Sequence, residues 1–135
     1  MRLPNWQSNL NHYIRSNLTT PFAWGTFDCC LFTAAAVEAI TGTHPIPQIV
    51  GRYRTELGAA RALKKYGKGT IKATLNHLFG TPKPRLQVCR GDVVLVETSL
   101  GDTAGIVMGG QVWVATHEGL STCPLTLVKL CWEVK

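Results

Sequence analysis

The sequence predicts an α+β domain in which N-terminal helices pack on a C-terminal antiparallel sheet of four or more strands. Three observations carry that expectation. Up to about residue 82, apolar side chains recur at three- and four-residue steps between residues that cap helices. Beyond Pro84, short β-branched runs alternate with glycine-bearing turns. The third is size: 135 residues, 45% hydrophobic and 16% charged, suffice for one core and not for two. The chain 1–135 therefore reads as a single domain, helical over about 1–82 and β over about 83–135.

The first helix is marked by Trp6, Leu10, Tyr13 and Ile14 between Pro4 and about Asn17, with Pro4 suited to a first helical turn. A loop punctuated by Pro21 and Gly25 follows, carrying Phe22, Trp24 and Phe27. Asp28 is then an N-cap for Cys29 to Thr41, a stretch closed by Gly42 and apolar nearly all round, which marks it as a buried central helix. Trp24 and Phe32 are the aromatics expected in the core. Past Pro45 and Pro47, Thr55 caps a helix from Glu56 to about Tyr66 that stops at Gly67. Thr70 caps another from Ile71 to Phe79, stopped by Gly80 and Pro82.

In the β half, Val93 to Val96, Ala104 to Met108, Val112 to Ala115 and Leu127 to Val134 read as a four-stranded meander, with Gly109-Gly110 in one turn. In the last of them Leu130, Trp132 and Val134 alternate with Lys129, Cys131 and Glu133, the pattern of a strand with one buried face. Asp28 and Asp102 are assigned to a helix cap and a turn rather than to an acid pair.

A formal net charge of +6, from 14 Lys and Arg against 8 Asp and Glu, favours anionic partners. Many of the cations lie between Arg52 and Arg85, a basic flank that reads as a solvated face or as a docking surface for an acidic neighbour. No apolar run reaches the roughly 20 residues needed to span a bilayer, and Met1 to Trp6 lacks a signal-peptide core, so a soluble cytoplasmic product is expected. Five cysteines, odd in number and irregularly spaced, argue against a disulfide scaffold. No phosphate-binding glycine loop and no zinc-like His and Cys spacing occur, and no cofactor, metal or direct nucleic-acid contact is expected. The alternative is a cluster held by Cys89, Cys123 and Cys131, all in the β half, which requires them to converge.

The stretch from Phe22 to Phe32 carries the chemistry. It places Cys29 in the first turn of a buried helix, behind an aromatic, glycine-containing loop. Helix N-terminal amides and the macrodipole stabilise a thiolate there, and the same amides hold an oxyanion when a carbonyl is attacked. The competing reading is that Cys29 and Cys30 are small apolar residues filling a core helix.

Phe22-Ala23-Trp24-Gly25, followed by Asp28-Cys29-Cys30-Leu31-Phe32, resembles the NlpC-type peptidase signature of an aromatic-x-Trp-Gly loop, Asp-Cys-Ser and an apolar helix. Arg90-Gly91-Asp92-Val93-Val94-Leu95-Val96 resembles that superfamily's Gly-Asp-hydrophobic strand. Thr103-Ala104-Gly105-Ile106-Val107-Met108-Gly109 resembles its His-Val-Gly-Ile-Tyr-Ile-Gly strand. The Asp-Cys-Cys-Leu-Phe variant is similar to a family of phage tail proteins within the superfamily, encoded among tail-tip genes beside hub and distal tail proteins.

The resemblance implies a papain-like fold with Cys29 as nucleophile, Cys30 at the serine position, Thr103 at the general-base histidine position and Ala115 near the orienting position. Threonine does not accept a thiol proton at neutral pH and alanine orients nothing, so two members of the nucleophile, base and orienter set are missing. Of His12, His44, His77 and His117, only His117 falls near the expected sheet, as a substitute base or an exposed turn residue. The resemblance thus implies a phage tail-tip (baseplate hub) component with a degenerate peptidase fold, mainly structural, made in the host cytoplasm and placed in the virion tail. Its partners would be hub, distal tail or tip proteins. The alternative is an active cysteine peptidase or amidase that cuts peptidoglycan peptides during DNA delivery, with Cys29 attacking and His117 or a partner's residue as base.

Overall fold

A computed structural model describes residues 1–99 and 101–135. Among the described residues, four α-helices precede five strands: α1 (Trp6–Ser16), α2 (Cys29–Thr41), α3 (Glu56–Tyr66), α4 (Ile71–Phe79), then β1 (Val93–Thr98), β2 (Gly101–Met108), β3 (Gln111–Thr116), β4 (Gly119–Cys123) and β5 (Val128–Trp132). The α+β expectation holds, and the capping chemistry explains why three helices begin where they do. Asp28 is extended and its carboxylate accepts from the Leu31 amide at 2.9 Å. Thr55 and Thr70 accept from Gly58 and Ala73 at 3.0 and 3.1 Å. Gly42, at φ 84°, closes α2 in the left-handed region and donates its N–H to Glu38. Helix α1 begins at Trp6 rather than Pro4, and its N-cap Asn5 makes no side-chain capping bond.

The sheet departs from a four-stranded meander in two ways. Its order is β4-β3-β2-β1-β5, antiparallel throughout. The additional strand is β4, joined to β3 by a two-residue turn at His117-Glu118, with Thr116 opposite Gly119. The last strand does not follow β4 in the order. It returns across the sheet to pair with β1, Val94 opposite Cys131. It also ends at Trp132, and both of its faces are covered, since Trp132 and Cys131 are each fully buried.

Two apolar layers result from the period of two. One face of the sheet, through Val93, Leu95, Ala104, Ile106, Ala115 and Trp132, packs on Leu10 and Ile14 of α1 and on Phe32, Ala36 and Ile40 of α2. The other face gathers Val94, Val96, Val107, Val112, Val114 and Val128 under Val88 and Leu125. Helix α2 is enclosed because its far side meets a third cluster, where Leu31 and Ala34 touch Ile46, Ile49, Tyr53 and Ala62. This explains its near-uniform apolarity.

The Gly91-Asp92 pair locks the helices to the sheet. Gly91 has φ +86°, and a Cβ there would lie 2.8 Å from the Trp6 ring of α1. Asp92 is fully buried, accepts from the Cys89 amide at 2.8 Å and pairs with the Lys83 ammonium at 2.8 Å. Partial burial works against the Lys83 charge, but the Asp92 carboxylate outweighs it and holds the lysine pKa above its ordinary value.

Phe32 is fully buried, whereas Trp24, expected in the core, is only half-buried at the tip of its loop. Phe32→Ala is therefore expected to cost about 3–5 kcal/mol, and Trp24→Ala less than about half of that. Urea unfolding of the two variants checks the difference, and equal losses would restore Trp24 to the core.

Candidate functional site

The loop before α2 is a tight reversal. Ala23 and Phe27 form an antiparallel bridge, which leaves Trp24 and Gly25 at the tip. Gly25 is required twice over: its φ is +85°, and a Cβ would fall 1.8 Å from the Tyr53 carbonyl oxygen. The Gly25 carbonyl accepts from Gly51 at 2.9 Å, so the loop is sewn to the segment before α3.

Asp28 is the hub of this arrangement. It is 1% exposed, and beyond the Leu31 amide its carboxylate accepts from the Gly25 amide at 3.0 Å and the Tyr53 hydroxyl at 2.5 Å. Burial first, and the Asp28 charge second, push the Tyr53 hydroxyl far above its ordinary pKa, so it stays a donor. The next residue, Cys29, is consequently fixed at the start of α2.

The Cys29 and Cys30 sulfurs lie 4.0 Å apart. Hydrogen bonding from the Cys30 thiol lowers the Cys29 pKa below the ordinary thiol value, against the opposing effect of burial, and the backbone amides of Ala104 and Cys30 add to the lowering. The Cys30 thiol is pushed well up by the same bond and by burial, so the pair divides into one thiolate-prone sulfur and one donor. The Asp28 charge opposes ionisation of both. Both cysteines border a cleft of about 160 Å³ walled by Trp24, Tyr53, Leu63 and Ile71, with Asp102 from β2 at its side.

Ala104 puts β2 in contact with the Cys29 sulfur, but the Thr103 side chain is not there. Along β2, Ala104 and Ile106 face the helices while Val107 faces the second layer, and Thr103 shares the parity of Val107. Its buried hydroxyl bonds to Thr98 Oγ1 at 2.8 Å and to the Gly101 carbonyl at 3.0 Å. Motif alignment thus assigns the histidine position to a side chain on the opposite face from Cys29. The helix-facing neighbours on β2 are Ala104 and Asp102. Asp102 lies inside the strand, opposite Glu97, and not in a turn. Lys129 compensates this pair of like charges, at 2.8 Å from Asp102 and 3.9 Å from Glu97. Ala115 is fully buried on the helix-facing side, as an apolar member of the core.

His117 is an exposed turn residue whose ring packs on Phe22 and Trp24, with centroids 4.5 and 6.0 Å apart. It is not among the residues bordering the cysteine cleft. His12 and His77 are exposed, and His44 Nδ1 accepts from the Ile46 amide at 3.1 Å. Cys89 is exposed, Cys123 half-buried and Cys131 buried against the Lys83 and Pro84 carbonyls. Among the described residues no group of three or more His, Cys, Asp or Glu side chains is placed to hold a metal ion, so the cluster alternative for Cys89, Cys123 and Cys131 is not realised. Sequence reasoning did not select Tyr53 or Asp102. No helix among the described residues is long and apolar enough to cross a membrane.

The fold and site define a small α+β domain with an asymmetric thiol pair at the head of a buried helix. Residues 1–134 match the family model described as a domain of unknown function (DUF6950), and the chain belongs to that family. No curated protein matches it.

Because the thiolate is the reactive form, site-resolved alkylation followed against pH reads the Cys29 pKa directly. Cys29 is expected to titrate below an ordinary thiol, and Cys30→Ala to move its midpoint upward. An unchanged midpoint in Cys30→Ala would contradict the donor role of Cys30.

Proposed function

We propose that this protein is a phage tail-tip component, in the baseplate hub region, that keeps an NlpC-type peptidase fold as a structural adaptor. The tail assignment is supported by the resemblance of the Trp-Gly loop, the Asp-Cys-Cys-Leu-Phe segment and the two strand motifs. One observation carries the adaptor role: β2 meets Cys29 through the Ala104 backbone amide, with the Thr103 hydroxyl on the other face and the His117 ring tilted against Phe22 and Trp24. A thiol without a positioned base lacks the proton acceptor that cysteine hydrolysis uses. In this reading the protein resides in the virion tail, and its neighbours are hub, distal tail or tip proteins.

The lowered Cys29 pKa favours a second reading, an active peptidase or amidase on peptidoglycan peptides. There the thiolate would form without an imidazole, and a neighbouring tail protein would supply the base.

Incubation with purified peptidoglycan separates the two. The adaptor reading expects muropeptide release no greater from wild type than from Cys29→Ala. Release that Cys29→Ala abolishes would establish the second reading. Thr103→His should leave release at background, because the new ring would enter the second layer rather than the cleft. It should also destabilise the domain, since the fully buried site holds a threonine hydroxyl pair.

A further inference from the structure

The whole formal charge of the chain resides in one segment. Residues 52–72 hold seven cations and one carboxylate, Glu56, whereas the other residues balance at seven and seven, for the net +6. All seven cations are exposed. Ion pairs among the described residues involve Arg2, Lys83 and Lys129, and none of these seven.

Lys64 and Lys65 are explained locally, because they sit in the last turn of α3, where the helix dipole favours cations. The rest are not. Arg61 and Lys65, four residues apart, place like charges on one face of α3, which disfavours the helix. Lys72 lies in the first turn of α4, where the dipole opposes a cation and no acidic residue is present. At Arg61 and Lys72, positive charge is therefore placed against local helix electrostatics.

Arg52, Arg61 and Lys65 border a groove of about 450 Å³ between α3 and the Arg52-Tyr53 segment, with Tyr66 at its side. The segment runs close to the helix because Gly58 has no side chain: a Cβ there would lie 2.9 Å from Tyr53 Cβ. Guanidinium groups bind carboxylates through two parallel hydrogen bonds. The Lys65 ammonium stands over the Tyr66 ring, 5.2 Å from its centroid, and occupies the aromatic face that a nucleic-acid base would need for stacking. The groove is thus suited to carboxylates and poorly suited to bases.

We infer that the Arg52, Arg61 and Lys65 groove is the docking site for an acidic segment of a partner protein. The inference deepens the adaptor reading and rests on it for the existence of a protein neighbour, while the groove itself is independent of the chemistry at Cys29.

Fluorescence anisotropy with a labelled Asp- and Glu-rich decapeptide, at low salt, tests it. The expected result is saturable, salt-sensitive binding that the double variant Arg61→Gln, Lys65→Gln weakens about tenfold or more. The control pair Lys68→Gln, Lys72→Gln, with the same change in net charge, is expected to weaken it less than about threefold. Circular dichroism confirms that both variants are folded. No binding at millimolar peptide, equal losses in the two variants, or tighter groove-dependent binding of a charge-matched oligonucleotide would each overturn the proposal. The adaptor reading fails separately, through Cys29-dependent release of wall fragments, so the two failures are distinguishable.

Discussion

The site depends on one buried carboxylate. Asp28 accepts hydrogen bonds from the helix it caps, from the loop before it and from Tyr53, which lies 25 residues further along the chain. An N-cap alone is worth about 0.5–2 kcal/mol, and hydrogen bonds to charged groups about 1.5–3 kcal/mol each. A carboxylate taken fully out of water is costly unless hydrogen bonds compensate it, and here three donors converge on it. Through these bonds the start of α2, the Trp24-Gly25 tip and the path into α3 become one rigid unit. The position of Cys29 follows from that unit.

The same carboxylate works against the cysteine it positions. Its charge raises the Cys29 pKa, and burial does so too, but hydrogen bonding from the Cys30 thiol and two backbone amides outweighs both and leaves it below the ordinary thiol value. The result is a thiol shifted toward its thiolate form, met on β2 by a backbone amide, in a cleft that no described histidine borders. Cysteine hydrolases also need a group that returns the proton to the leaving amine. A lowered thiol pKa without such a relay would separate thiol reactivity from turnover, as the proposed adaptor role requires.

Much of the fold was legible because its signals are local. Asp28, Thr55 and Thr70 cap helices through bonds to residues three positions on, and Gly42 closes α2 through its own backbone freedom. What escaped the sequence is non-local or weakly patterned. Strand β4, Gly119 to Cys123, contains only Thr122 as a β-branched residue and lies at a sheet edge, so it carries little strand signal. The pairing of β5 with β1 leaves no trace in local spacing. Asp102 looked like a turn residue after Gly101, and only the lysine of β5 shows how a strand tolerates it opposite Glu97. For Thr103 the difficulty is parity. Residues 103–107 are all buried, so alternation of polar and apolar residues could not mark which face meets the helices. A motif resemblance names a position in the chain and not the direction of its side chain.

Asp28 and Tyr53 hold the site together as a coupled pair. A double-mutant cycle in urea unfolding, with Asp28→Ala, Tyr53→Phe and the double variant, measures that coupling directly. A coupling free energy above about 1 kcal/mol is expected, in keeping with a buried hydrogen bond to a charged acceptor. Cys29 alkylation is expected to be faster in Asp28→Ala, as the head of α2 loosens and the opposing charge is removed. Additive losses, with an unchanged alkylation rate, would show that Cys29 is positioned by something other than this carboxylate.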